Sequence, residues 1–271
     1  MLNRCVKSLL QHEPTAGSDI WIFDDGSPFF DEEIIFHKRI IRREVNKGYS
    51  TTINQALKYA RDYRYDAVVT INSDVELLRP FINRAHQVFN FDKQIAVIGG
   101  MLLYPNGRIQ SAGIGLHDNG APIEYNKNEL FTQDIGGEVS QPKYVMGVTG
   151  AFQIIRVSAL EKIGFYDEGF QMSYEDVEFC WRTWRNKFRC FYDPHIKAVH
   201  AESATRGYHV GERELSSLNH WLKQCFKKTQ HAKLLKLVED ANSQVQSTIS
   251  SRHYAQKLNL VKPLDHSKSS S

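Results

Sequence analysis

Three polar segments and one histidine hold the residues most able to do chemistry. They are Asp24-Asp25-Gly26-Ser27, Asn72-Ser73-Asp74, the run from Met172 through Glu175 and Asp176 to Arg182, and His200 at the end of Lys197-Ala198-Val199-His200. Displacing a diphosphate leaving group with a hydroxyl makes two electrostatic demands: the departing phosphates must be neutralised, and the attacking hydroxyl must lose its proton. A divalent cation meets the first and a carboxylate base the second. Asp74 offers one hard oxygen to Mg²⁺ or Mn²⁺ and leaves other positions for phosphate oxygens and water. The same residue also fits a turn former or a helix N-cap. His200 offers an imidazole nitrogen, which suits Mn²⁺ better than Mg²⁺. One histidine among 11 is as readily structural.

Glu175 and Asp176 precede Val177, Phe179, Cys180, Trp181 and Trp184, which places both carboxylates at the start of a helix. There the macrodipole favours the ionised form that a general base needs, and simple capping accounts for the same placement. Glu178 and Arg182 are spaced i,i+4 and predict a helix-surface ion pair in a supporting role. Asp24 and Asp25 have the chemistry to accept hydrogen bonds from a nucleoside's base or ribose, although turn formation explains them equally well. Asn46, Gly48 and Asn54 carry only a common loop signal.

The elements that must position these residues follow from apolar spacing. Leu2, Val6, Leu9 and Leu10 predict an opening amphipathic helix. Ile20 to Phe23 reads as a buried strand, and Arg39 to Glu44 as a second that ends at Asn46-Lys47-Gly48-Tyr49-Ser50. A helix through Ala56, Leu57 and Ala60 then leads to the strand Asp66 to Ile71. This βαβ-like alternation predicts a mainly parallel sheet, with the polar loops Asp24 to Ser27, Asn46 to Ser50 and Asn72 to Asp74 converging beyond the carboxyl ends of its strands. Ile95 to Leu103 and Tyr144 to Ile155 read as further strands. The stretch Gly113 to Gly137 reads as a long irregular loop able to cover an acceptor. From Glu212 a helical stripe of Leu215, Leu218, Trp221, Leu222, Cys225 and Phe226 carries Lys223, Lys227 and Lys228 elsewhere on its surface. Such a helix either packs on the preceding domain or makes a peripheral membrane contact.

The 271 residues suffice for one large domain with an appendage. The expected division is 1–210 as the main domain, 211–262 as a helical extension and 263–271 as a disordered tail. A net charge of +3 is too small to imply a nucleic-acid partner. The four cysteines form no CxxC pair, so the spacing predicts neither a zinc site nor a disulfide framework. With no signal-peptide pattern and no long apolar run, the expectation is a cytoplasmic protein.

Taken in order, Phe23-Asp24-Asp25-Gly26-Ser27, Asn46-Lys47-Gly48-Tyr49, Ile71-Asn72-Ser73-Asp74-Val75-Glu76-Leu77, Val148-Thr149-Gly150, Tyr174-Glu175-Asp176-Val177-Glu178 and Ala198-Val199-His200 resemble family 2 glycosyltransferases. The rhamnosyltransferase-like branch is the nearest. The resemblance covers about residues 1 to 210, and the ordered set is far more specific than any one member. It implies an α/β GT-A (Rossmann-like) fold with a mainly parallel sheet flanked by helices and a helical C-terminal extension. The implied reaction moves a sugar, with inversion, from a UDP-, dTDP- or GDP-linked donor to a carbohydrate or lipid-linked acceptor.

In that reading Asp24 contacts the nucleoside, Asn46 and Gly48 line its pocket, and Asp25, Asn72 and Ser73 lie on the nucleotide-sugar side. Asp74 and His200 are the metal residues, Asp176 is the base with Glu175 supporting it, and Gly150, Met172 and Tyr174 border the acceptor. Two departures stand out. The DXD-like motif reads Asn-Ser-Asp and keeps one carboxylate. The family opens with a strand and a Pro-x-Tyr-Asn-like loop, whereas this sequence opens in the helix that follows, so the first strand is expected to be absent. A catalytically inactive module that binds sugar or nucleotide is the alternative the second departure suggests. A sugar-phosphate nucleotidyltransferase would want a Gly-rich basic loop near the start, and none is present.

Overall fold

A computed structural model describes residues 1–14, 19–28, 39–131, 138–201 and 211–249. The tail expected at 263–271 lies outside the described residues, as do 250–262. The opening helix is α1 (Leu2–His12), followed by β1 (Ile22–Asp24) and β2 (Ile40–Arg42). These two strands pair in parallel, with Ile22 opposite Ile40 and Asp24 opposite Arg42. They form a sheet of their own, and their apolar cluster joins Val6 and Ile22 to Leu2, Leu10 and Ile40.

The chain continues through α2 (Tyr49–Asp62), β3 (Ala67–Ile71), β4 (Val75–Leu77), α3 (Ile82–Phe91) and β5 (Ile95–Leu103). Short strands β6 (Ile109–Ser111), β7 (Ile114–Leu116), β8 (Pro122–Glu124) and β9 (Lys143–Val145) come next, then β10 (Phe152–Arg156) and α4 (Leu160–Ile163). Last come α5 (Glu175–Arg185), β11 (Arg189–His200), α6 (Glu212–His220), a π-helical turn over Trp221–Cys225, and α7 (Lys228–Ile249).

The main sheet has the order β3-β10-β5-β11-β4, with β6 beside β5 and β9 beside β11. It is mixed, not mainly parallel. Among the described residues of this sheet β5 and β11 alone pair in parallel, while β10 runs antiparallel to both β3 and β5, and β4 antiparallel to β11. The reason lies in the connections. β4 folds back from β3, and α3 then carries the chain to the start of β5, which so runs in the direction of β3. β10 arrives later from the long segment after β5 and inserts between the two in reverse. β3, β5 and β11 therefore point one way, so the expected convergence at their carboxyl ends survives for the turn after Ile71 and for His200.

Burial explains which elements the sequence could announce. All nine residues of β5 are buried, as its unbroken apolar run requires of a central strand. β11 is longer than its apolar ending suggests, and its register shifts between Asp193 and Lys197, around Pro194. A proline fits a strand interior only at such a bulge. The bulge presses on β5 so closely that a Cβ on Gly100 would lie 2.4 Å from the Ile196 carbonyl oxygen. Within the stretch expected to be an irregular loop, residues 114–124 form the β7–β8 hairpin, with Trp221 Nε1 donating to the Gly120 carbonyl, while 132–137 lie outside the described residues.

Two ties fix the flanking helices. Glu13, just past α1, accepts the backbone N–H of Phe81 and of Ile82 (2.8 Å for the latter) and so caps α3 from outside. The C-terminal elements enter the main core through Trp221, Phe226, Leu234 and Ala241. No helix among the described residues is long and apolar enough to cross a membrane.

Candidate active site

Asp24 closes β1 with its side chain 6% exposed; Arg42 Nε lies 3.0 Å from one carboxylate oxygen and the Ser27 N–H donates to the other at 3.2 Å. Asp25 sits before the N-terminus of α2, where it accepts the backbone N–H of Lys47 (3.0 Å) and Gly48 (2.8 Å) and a bond from Arg43 (3.1 Å). Burial pushes the Asp25 pKa up, but these donors, with Thr52, outweigh it and hold the carboxyl below its ordinary value. Asn46 Oδ1 also accepts the Gly48 N–H at 3.1 Å. Gly48 adopts φ +93°, a left-handed conformation that favours glycine. Both acids are thus engaged in shaping the β1–α2 loops. Hollows of about 480 and 510 Å³ share Arg43 and Thr51 beside these loops, and neither is lined by Asp74, Asp176 or His200.

Asn72, Ser73 and Asp74 make the turn between β3 and β4, with Ser73 exposed at its tip. The Val75 N–H donates to the Asn72 carbonyl (3.1 Å), and the Asn72 N–H to the Ala151 carbonyl (2.9 Å). β4 pairs with the end of β11, placing His200 opposite Val75, so His200 Nε2 lies 3.2 Å from Asp74 Oδ1. His200 Nδ1 lies 2.6 Å from Gln110 Oε1. Facing an amide oxygen, Nδ1 is the donor of that contact, which leaves Nε2 turned to the Asp74 carboxylate. A carboxylate oxygen and an imidazole nitrogen this close can be bridged by a proton or by a cation. Ligands about 2.1 Å from an octahedral cation stand roughly 3.0 Å apart, close to the observed separation. Asp74 and His200 therefore fit a divalent cation.

Asp176 enters α5 through a reversal in which Ser173 (φ +66°) and Tyr174 (φ +70°) are both left-handed. The Met172 N–H, just before it, donates to Ser217 of α6 at 2.9 Å. The Asp176 carboxylate accepts the Gly150 N–H (2.7 Å) and the Val177 N–H (2.8 Å). Burial raises the Asp176 pKa and outweighs these donors, which pull it down. Tyr49 Oη donates to the Gly150 carbonyl at 2.6 Å, gripping the same residue from its other side. A Cβ on Gly150 would lie 3.0 Å from Tyr49 Oη and 3.3 Å from the Asp176 Cβ. Glu175, in the first turn of α5, lies close enough to raise the pKa of Tyr49, behind burial as the larger cause.

One expectation here is corrected. Glu178 and Arg182 do pair, at 2.8 and 2.6 Å, but Glu178 is buried and Arg182 also donates to the carbonyls of Ile163 and Phe165. α5 buries seven of its own residues, Val177 to Trp181, Thr183 and Trp184, so the i,i+4 spacing falls inside the protein. Tyr49, Gln110 and Ser217 escaped the sequence reading. Tyr49 had only its place after Gly48 to mark it, and Gln110 and Ser217 carried no signal, since their partners are 90 and 45 or more residues away.

An acidic turn and a histidine at the carboxyl ends of co-directional strands, in a sheet flanked by helices, define an α/β protein of GT-A-like architecture. The solved structure described as GalNAc-T7 with UDP, GalNAc and Mn²⁺ has this fold, with a TM-score of 0.61 at 15% identity over 89% of this chain and 51% of that one. The chain belongs to glycosyl transferase family 2, whose model matches residues 1–164. Among curated proteins it is 27% identical over 165 residues to the low-salt glycan biosynthesis hexosyltransferase Agl10 of Haloferax volcanii, covering 57% of this chain and 49% of Agl10. It is 26% identical over 171 residues to the O-antigen biosynthesis protein RfbC of Myxococcus xanthus, covering 59% of this chain and 12% of RfbC. The chain thus spans half or less of these relatives' length, and neither name specifies a rhamnosyltransferase. The family match ends before Asp176 and His200.

Proposed function

We propose that the chain carries an inverting, nucleotide-sugar-dependent glycosyltransferase site of the rhamnosyltransferase-like branch. The observation that supports it most is the Asp74–His200 pair, an oxygen and a nitrogen ligand atom 3.2 Å apart at the ends of two strands. Mn²⁺ or Mg²⁺ held by these residues would neutralise the diphosphate of a UDP-, dTDP- or GDP-linked donor. Asp24, Asp25, Asn46, Gly48, Asn72 and Ser73 border the donor. Asp25 contributes by holding the Lys47 and Gly48 amides in place.

Asp176 takes the proton of the acceptor hydroxyl, with Glu175 orienting the acceptor and Gly150, Met172 and Tyr174 beside it. The acceptor oxygen bonds to the anomeric carbon as the bond to the nucleoside diphosphate breaks, and a single displacement inverts that carbon. The names of Agl10 and RfbC support a carbohydrate or lipid-linked acceptor in polysaccharide assembly. The reading places the enzyme in the cytoplasm, in peripheral membrane contact where the acceptor is lipid-linked.

The test measures nucleoside diphosphate release from UDP-, dTDP- and GDP-sugars with Mn²⁺ or Mg²⁺. Asp74→Asn should lose metal-dependent donor binding, and Asp176→Asn should bind donor without turnover. Unchanged turnover in Asp176→Asn would remove the base assignment. One observation favours a second reading, binding without turnover: among the described residues β1 pairs only with β2, outside the main sheet, and β3 pairs only with β10. Donor binding by the wild-type chain with no diphosphate release would select it.

A further inference from the structure

Away from Asp74 and His200, one group of three metal-ligating side chains lies close together among the described residues. The ligand atoms of Asp167, His220 and Cys225 all fall within 4.8 Å of one another. Two come from one short segment. The π-helical turn Trp221–Cys225 carries an i→i+5 bond, Phe226 N–H to Trp221 carbonyl at 2.8 Å. This wider winding brings residues five apart onto one side, and His220 and Cys225 are five apart. The third comes from the loop before α5. Asp167 Oδ2 lies 2.8 Å from His220 Nε2, and its Oδ1 accepts the Gly169 N–H at 2.8 Å, which fixes the carboxylate's direction.

The surroundings are built around this arrangement. Gly169 has no side chain where a Cβ would lie 3.0 Å from both the Asp167 carboxylate and the His220 ring, and Phe170 meets that ring edge-on at 4.7 Å. Arg182, the nearby cation, spends its donors on Glu178, Ile163 and Phe165.

We infer that Asp167, His220 and Cys225 form a zinc-class metal site, separate from the donor cation, that clips the C-terminal helices to the loop leading into α5. A thiolate, an imidazole and one carboxylate select Zn²⁺ over Mg²⁺ or Mn²⁺, whose preference is for oxygen-rich sets. Zn–N and Zn–O bonds of about 2.0–2.2 Å put tetrahedral ligands roughly 3.4 Å apart, so the Asp167–His220 pair needs to open by about half an ångström as the metal replaces their shared proton. The fourth position faces water, since both side chains are about a third exposed (38% and 29%). Binding also releases the Cys225 proton, so affinity rises with pH. Cysteine spacing gave no hint of this site because its ligands come from two distant segments and include one thiol only.

Cobalt reports the coordination directly. Co²⁺ titrated into the reduced full chain should give a thiolate-to-cobalt charge-transfer absorption that saturates at one equivalent and is bleached by one equivalent of Zn²⁺. Asp74→Asn should keep the absorption and Cys225→Ser should lose it, while His220→Gln should weaken Co²⁺ at least tenfold. No absorption in the wild-type chain, or the same absorption in Cys225→Ser, overturns the inference and leaves Asp167–His220 as a plain hydrogen-bonded pair. If Cys225→Ser does not fold, alkylation of the wild-type chain decides. Zn²⁺ should slow iodoacetamide labelling of Cys225 at least tenfold, and equal labelling with and without Zn²⁺ overturns the inference.

Discussion

Tyr49→Phe tests how the proposed base is held. The variant keeps the ring and its edge contact with Tyr166 at 6.3 Å, and loses only the hydroxyl that donates to the Gly150 carbonyl at 2.6 Å. Leaving a buried carbonyl without its donor costs about 1–2 kcal/mol. For a chain of this size that is a fall in Tm of roughly 2–8 °C, at about 2–4 °C per kcal/mol. The more specific effect is on Asp176. Its pKa is raised by burial and pulled back partly by the Gly150 N–H at 2.7 Å. A Gly150 peptide released on its carbonyl side holds that N–H less firmly, so the Asp176 pKa rises further. The pH at which turnover reaches half its plateau should therefore move upward in Tyr49→Phe, measured as nucleoside diphosphate release across pH with donor saturating. An unchanged Tm together with an unchanged midpoint would refute the claim that Tyr49 acts through Gly150.

Asp176→Asn should uncouple stability from activity. Because the folded pKa is raised, the protonated carboxyl's contribution is fully present below the unfolded value near 3.9 and is lost as pH rises through the folded pKa. Urea melts should thus show the variant gaining on wild type between pH 4 and pH 7, while turnover falls at least about 100-fold. Arg182→Met strands buried Glu178 and two backbone carbonyls, and should cost roughly 2–4 kcal/mol after allowing for Arg182's partial exposure; Glu178→Leu in the same chain should recover part of that. Glu13→Ala removes the acceptor for two N–H groups at the start of α3 and should lower stability by about 1–2 kcal/mol in the same melts. A chain cut after residue 210 loses buried Trp221, Phe226 and Leu234, together worth about 5–8 kcal/mol of burial, an amount comparable to the whole stability of a domain. It should show no cooperative melt by circular dichroism.

Legibility followed how much of an element's environment is local. β5 was readable to its ends and α2 in its place though not its limits, since one is apolar throughout and the other has a regular stripe following Gly48. Only the end of β11 was readable, because Asp193-Pro194-His195 has the composition of a turn. Its use as a bulge depends on Arg84 and His195 holding buried Asp193, contacts made largely by tertiary structure. The strand directions were misread for the same reason: β10 has no local feature saying that it will insert in reverse between strands already joined by a helix. At the candidate site, the sequence marked Asp74, His200 and Asp176 but missed what orients them. Gln110 lies 90 residues from His200 and Tyr49 101 from Gly150, and neither residue type announces such a partner.

That division has a physical cause. The candidate donor and acceptor sides are joined chiefly through main-chain groups: Asp25 to the Gly48 N–H, Tyr49 to the Gly150 carbonyl, Asp176 to the Gly150 N–H, and the Asn72 N–H to the Ala151 carbonyl. A main-chain donor or acceptor is supplied by almost any residue, so these links leave little trace in residue type. They also allow the turn before Asp74 to read Asn-Ser rather than carry a second carboxylate. The turn is positioned by the Asn72 backbone and by the pairing of β4 with β11, and neither depends on the side chains at positions 72 and 73. Asp74 and His200 then meet because two strand ends are in register, which is why a single acid and a single histidine far apart in sequence form a pair fitted to a cation.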